Sequence, residues 1–144
     1  KAQAILLIGE GKFHAIGIAA ETELPIYILK DKLEKIPLSD IKSFKQKQKA
    51  SYTKYLHADK IGILVSTKPG QSNLKKALEF KKHAPREGVP SAEGKKQAYL
   101  FICNNIETSE FENFPQIQAW VNTACRRLDM NDSSIINLDT IKWE

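Results

Sequence analysis

The sequence predicts an α/β fold, a mostly parallel, doubly wound sheet with flanking helices, preceded by a partial α/β unit. Two observations carry this. Short apolar runs rich in β-branched and aromatic residues recur along the chain and read as buried strands. Glycine-containing or polar loops and helical stretches stand between them, so strand and helix alternate almost throughout. No repeat of solenoid period is visible in the sequence.

The chain opens with the apolar run Ala2 to Ile8, a buried strand entering the tight loop Gly9-Glu10-Gly11. Phe13 to Ala20 follows as a short helix of small and apolar residues, Leu24-Pro25 breaks the chain, and Ile26 to Leu29 reads as a second strand. Strand, glycine loop, helix, strand is one parallel βαβ unit. Lys30 to Pro37, with its charges and proline, reads as a connector. Ser39 is placed to cap a helix from Asp40 to about Ala58, whose acidic first turn suits the positive end of the helix dipole. Ile41, Phe44, Tyr52, Tyr55 and Leu56 fall near helical spacing, with a gap around Gln48 that predicts a less buried helix.

Ile61 to Ser66 is the clearest strand, and it empties into the polar loop Thr67 to Asn73 before a helix from Leu74 to Ala84. Pro85 stops that helix, since the residue before proline avoids the helical region. Pro85 to Gly94 reads as the most loop-like segment. Tyr99 to Cys103 reads as a buried strand, and Thr108 or Ser109 opens a short helical turn through Phe114 that Pro115 closes. Ala119 to Asn122 and Ile135 to Leu138 are the last strands. The connector is the expected boundary: residues 1–39 are the end of one α/β domain, residues 40–144 a second. A first piece that short cannot hold a core alone.

The 144 residues carry a net charge of +5, and the excess lies between Lys30 and Lys60, with nine lysines against four acidic residues. Such a stretch can attract nucleic acid or an acidic protein surface, or it is simply a solvated helix face. No apolar run approaches the roughly 20 residues of a membrane span, and Lys1 to Ile8 does not read as a secretory signal. The absence of Met at position 1 suggests a trimmed or incomplete N-terminus. Cys103 and Cys125 make neither a disulfide framework nor a zinc pattern, which points to a reducing compartment, the cytoplasm.

Chemistry is expected at Cys125, where an apolar run ends on a thiol followed by Arg126 and Arg127. A thiolate is a soft metal ligand and a nucleophile, and a guanidinium offers a fork to a carboxylate or phosphate. The bland alternative is a small hydrophobic residue at the end of a core strand. Cys103, inside its apolar run, is assigned to core packing. In an open parallel sheet ligands lie beyond the carboxyl ends of the strands, which makes Lys68 and Gln71 candidates. Their loop is not a nucleotide-binding P-loop, because lysine precedes glycine. Gly9 and Gly11 serve either a tight turn or a ligand, and His14 either the helix start or the site.

Three collinear motifs then acquire a common meaning. Ile8-Gly9-Glu10-Gly11-Lys12-Phe13-His14, Gly62-Ile63-Leu64-Val65-Ser66-Thr67-Lys68-Pro69-Gly70-Gln71, and Phe114-Pro115 through Val121-Asn122-Thr123-Ala124-Cys125 resemble segments of the archaeal type of diphthamide synthase, the 2-(3-amino-3-carboxypropyl)histidine synthase. The resemblance covers nearly the whole chain. It implies three related α/β domains, each giving one cysteine to a single 4Fe-4S cluster, in a homodimer. S-adenosylmethionine would bind the open iron and be cleaved to a 3-amino-3-carboxypropyl radical, which attacks a histidine of translation elongation factor 2.

On this resemblance Cys125 is the third domain's cluster ligand, and Gly9, Gly11, Phe13, His14, Lys68, Gln71 and Arg127 bind the cofactors. Arg126 stands where the family usually has proline. The first domain, the start of the middle one and their two cysteines do not match anything in this chain, so the chain alone is expected to be inactive. No membrane or RNA partner is expected. The reading from another class is a non-catalytic basic α/β module that docks on the elongation factor or RNA through Lys42 to Lys54.

Overall fold

The computed structural model describes residues 2–84, 96–125, 128 and 132–141. The chain divides into two compact units, Lys1–Lys47 and Gln48–Glu144, with the division inside the long helix α2 (Leu38–His57).

In the first unit, β1 (Ile5–Ile8) pairs in parallel with β2 (Ile26–Leu29), and α1 (Lys12–Glu21) joins them as the alternation of the sequence requires. Ala15 and Ala19 of α1 pack with Ile26, Ile28 and Ile36, supported by Ile5 and Leu7, so inward residues of β1 follow the period of two. Leu6 and Ile8 point the other way and are exposed. The charged connector contains a strand the sequence hides: β3 (Leu33–Lys35) pairs antiparallel with β2. All three of its residues are exposed, so backbone pairing forms it without an apolar signature. Ser39 is not the helix cap. The Pro37 carbonyl accepts from the amides of Asp40 and Ile41 at 3.2 and 3.4 Å, so α2 starts at Leu38 and the Ser39 hydroxyl reaches only Asp40 Oδ1.

The second unit is a four-stranded, wholly parallel sheet in the order β5-β4-β6-β7, from β4 (Lys60–Ser66), β5 (Gln97–Cys103), β6 (Ala119–Asn122) and β7 (Ile135–Asn137). This agrees with the predicted fold class. β4 is central, and Ile61 to Ser66 are all buried. One face packs Ile61, Ile63, Val65, Val121 and Ile136 against Tyr55 of α2 and Ala77 and Phe80 of α3 (Leu74–His83). The other packs Leu64, Trp120 and Ile135 against Phe101, Phe111 and Phe114. Phe111 belongs to the 3-10 turn Thr108–Asn113, and its ring stacks on Trp120 at 4.1 Å.

β5 departs from the buried strand expected of Tyr99 to Cys103. It lies at the sheet edge, starts at Gln97, and leaves Tyr99 44% and Ile102 56% exposed. Buried Lys96 fixes its start. The ammonium donates to the carbonyls of Leu56 and Ala58 at 3.0 and 2.7 Å and lies over the Tyr55 ring, satisfying a charge that burial would otherwise penalise. The expected loop Pro85 to Gly94 lies outside the described residues. β7 ends at Asn137 and the chain continues as the 3-10 turn Leu138–Thr140. No helix among the described residues is long and apolar enough to cross a membrane.

Candidate functional site

Three parallel strands bring three loops to one edge of the second unit. After β4, Lys68-Pro69-Gly70-Gln71 forms a reverse turn in which the Gln71 amide donates to the Lys68 carbonyl at 3.1 Å. Pro69 presets the second position, and Gly70 at φ 75 occupies the third, the pattern of a type II turn. The Lys68 amide donates to Ser66 Oγ at 3.2 Å, which tethers the turn to the strand end. The Thr67 amide donates to the Cys103 carbonyl at 3.0 Å, and Ser66 Oγ reaches the Asn104 carbonyl, so the loops after β4 and β5 are stitched together.

After β6 the sequence Asn122-Thr123-Ala124-Cys125 is held from three sides. Thr123 gives both its amide and its hydroxyl to the Leu64 carbonyl, at 3.1 and 2.8 Å, and its own carbonyl accepts from Asn73 Nδ2 at 2.7 Å. Cys125 follows as a half-buried free thiol. It lines a cleft of about 550 Å³ together with Lys68, Gln71, Ser66, Asn104 and Ile106, and with Glu107, Thr108, Ser109 and Leu128. Lys68 is the cleft's cation and Glu107 its anion among these residues.

The structure therefore brings Cys125, Lys68 and Gln71 to one cavity. Gly9, Gly11, Phe13 and His14 belong to the first unit, at the carboxyl end of β1. Gly9 and Gly11 have φ of 142 and 105, and an added Cβ would meet nothing at either, so backbone conformation accounts for both glycines. The exposed His14 meets the Phe13 ring edge to face at 4.9 Å. Arg126 and Arg127 lie outside the described residues.

Cys103 is not a core residue. It is half-buried at the end of β5, lines an apolar cavity of about 220 Å³ with Phe101, Phe111, Phe114 and Trp120, and burial pushes its thiol pKa up. Glu107, Asn104, Thr108 and Ser109 escaped the sequence reading. The same rule of strand carboxyl ends, applied to the loop after β5, would have found them.

Among the described residues no group of three or more His, Cys, Asp or Glu side chains gathers as a metal site. The site is thus a polar cleft at the strand ends of a parallel α/β domain, offering one soft ligand beside a lysine. The chain belongs to the diphthamide synthesis protein family, whose sequence pattern it matches over residues 1–135. It is 30% identical over 132 residues to the 2-(3-amino-3-carboxypropyl)histidine synthase of Pyrococcus horikoshii, covering 92% of this chain and 36% of that protein. Two solved structures of Dph2 from Pyrococcus horikoshii superpose on it. The one holding a 4Fe-4S cluster gives a TM-score of 0.73 at 27% identity, covering 95% of this chain and 39% of the other. The second gives 0.74 at 26% identity over the same shares. The chain spans little more than a third of the length of these relatives.

Proposed function

We propose that this chain is the C-terminal portion of a 2-(3-amino-3-carboxypropyl)histidine synthase, and that Cys125 is the one ligand it contributes to a 4Fe-4S cluster. The observation that carries this is the half-buried Cys125 thiol at the strand ends, sharing a cleft with Lys68 and Gln71. The described residues fit the cluster as one corner of a site completed by thiolates from elsewhere, since clusters of this type are held by several cysteines. Bound there, the cluster supplies one-electron chemistry and an iron position open to S-adenosylmethionine.

The chain's own residues then bind and orient. The Lys68 ammonium attracts the carboxylate of the aminocarboxypropyl moiety, with Arg127 as a second cation by sequence position, and Glu107 faces its ammonium. Gln71, Asn104, Thr108 and Ser109 offer neutral donors and acceptors, while Ile106 and Leu128 keep part of the cleft dry. Gly9, Gly11, Phe13 and His14 of the first unit are assigned to cofactor binding on the family resemblance alone. The acceptor is a histidine of translation elongation factor 2, and the whole enzyme works as a cytoplasmic homodimer. This chain alone, with one cluster thiolate, is inactive.

Anaerobic iron-sulfur reconstitution tests the proposal, with iron counting and absorbance near 400 nm, on this chain and on one extended upstream as its gene encodes. The extended form should take up about four irons, as a cubane cluster requires, and lose them with Cys125→Ser. Failure of the extended form to bind iron removes the cluster reading. Retention of full iron by Cys125→Ser removes this thiol from it.

A further inference from the structure

Beside the cleft, two buried carboxamides do work that neither the strand pairing nor the core requires. Asn122 is the last residue of β6 and lies opposite Asn137 of β7 in the register of the parallel pair. They are 2% and 6% exposed. Asn122 Nδ2 donates to Asn137 Oδ1 at 2.7 Å and to the Cys125 carbonyl at 2.8 Å, and Asn122 Oδ1 accepts from the Ala124 amide at 3.0 Å. One side chain thus closes the turn at two successive residues, using both protons and an oxygen lone pair, and is anchored from behind by the neighbouring strand. The Leu128 amide also donates to the Cys125 carbonyl, at 3.2 Å, which continues the constraint past the thiol.

We infer that Asn122 is the positioning residue for Cys125, with Asn137 fixing which way its amide faces. The inference rests on reading Cys125 as the functional thiol of the cleft. Thr123 ties the turn to β4 and to Asn73 ahead of α3, and its carbonyl holds the Thr123–Ala124 peptide, the same planar unit whose N–H reaches Asn122. The Cys125 carbonyl lies two peptides further on, and it is held by the Asn122 side chain. An aspartate of the same shape would keep the acceptor for Ala124 and turn a carboxylate against two carbonyl-type oxygens, which is why the position calls for an amide. A thiol that must meet a multi-ligand centre at fixed geometry gains from this support, because the ordering is built before the ligand arrives.

The test is the alkylation of Cys125 by iodoacetamide in the native chain, read by mass spectrometry against Cys103 as internal reference. Asn122→Ala should raise the Cys125:Cys103 rate ratio about tenfold, since loss of the paired bonds opens the turn locally. Asn137→Ala, which leaves Asn122 in place without its anchor, should raise the ratio by a smaller factor. Ile136→Val, a core change on the other sheet face, should leave the ratio unchanged and so separates positioning from general loss of stability. Ratios within twofold of the parent in both alanine variants would overturn the inference. So would an equal rise in Ile136→Val. Because the readout needs no iron, failure of this test and failure of the extended protein to load a cluster are seen separately.

Discussion

At the scale of single residues the two cysteines separate by environment. Cys103 sits in an apolar cavity, and desolvation raises its pKa above the usual thiol range. The folded state therefore holds its proton at a pH where the unfolded chain has begun to release it. Stability from this group is fully present below the unfolded thiol value, about pH 8.5, and is lost as pH rises through the higher folded value. Thermal midpoints of the parent and of Cys103→Ser, measured between neutral pH and pH 10, should converge in their pH slopes at neutrality. They should diverge above it, the parent falling more steeply. Parallel slopes throughout would contradict the burial effect.

The same scale shows why Cys125, Lys68 and Gln71 were legible while Asn122 was not. A lone cysteine after an apolar run and a lysine in a loop after a strong strand mark strand carboxyl ends, and one topological rule gathers them. Asn122 reads in sequence as a polar residue that merely ends a strand. Its amide acquires meaning only when β7 brings Asn137 opposite and the turn folds the Cys125 carbonyl back onto it. Pairing partners of that kind depend on register, which a local pattern does not state.

At the scale of elements, apolar content decided what could be read. β4 declares itself because six successive residues are buried. β3 does not, since it is short, charged and exposed, and α2 begins earlier than Ser39 implies because Pro37 supplies the first acceptor. β4 also contains an irregularity that tests its packing. Gly62 faces Trp120, and an added Cβ would overlap the indole ring while pressing on Phe101. That ring is wedged among Phe101, Phe111 and Phe114 and has little room to withdraw. Gly62→Ala should cost about 1–3 kcal/mol, the usual range for overpacking a core, read as a lower denaturant midpoint with unchanged slope. A neutral effect would mean that the aromatic cluster under the 3-10 turn is loosely packed.

At the scale of the whole molecule, the cleft and its supports draw on the second unit alone. Every residue lining the cavity lies beyond Gln48, as do the latches from Thr123 to Leu64, Asn73 to Thr123 and Asn122 to Asn137. The two core clusters on the faces of its sheet are likewise built from residues at or after Tyr52. Ser51 and Tyr55, the buried residues of α2, fall in the half of the helix that belongs to this unit. The first unit has a much smaller core, centred on Ala15, Ala19, Ile26, Ile28 and Ile36, and so short a piece has little surface to bury. A polypeptide beginning at Gln48 should therefore fold by itself. It should unfold cooperatively on heating, and its Cys125:Cys103 alkylation ratio should match that of the longer chain within about twofold, because the bonds that set local opening are all retained. Cooperative melting with a strongly raised ratio would show that residues before Gln48 help to order the Cys125 turn. Loss of cooperative melting would show that the parallel sheet, despite its complete set of core residues, depends on the first unit for its stability.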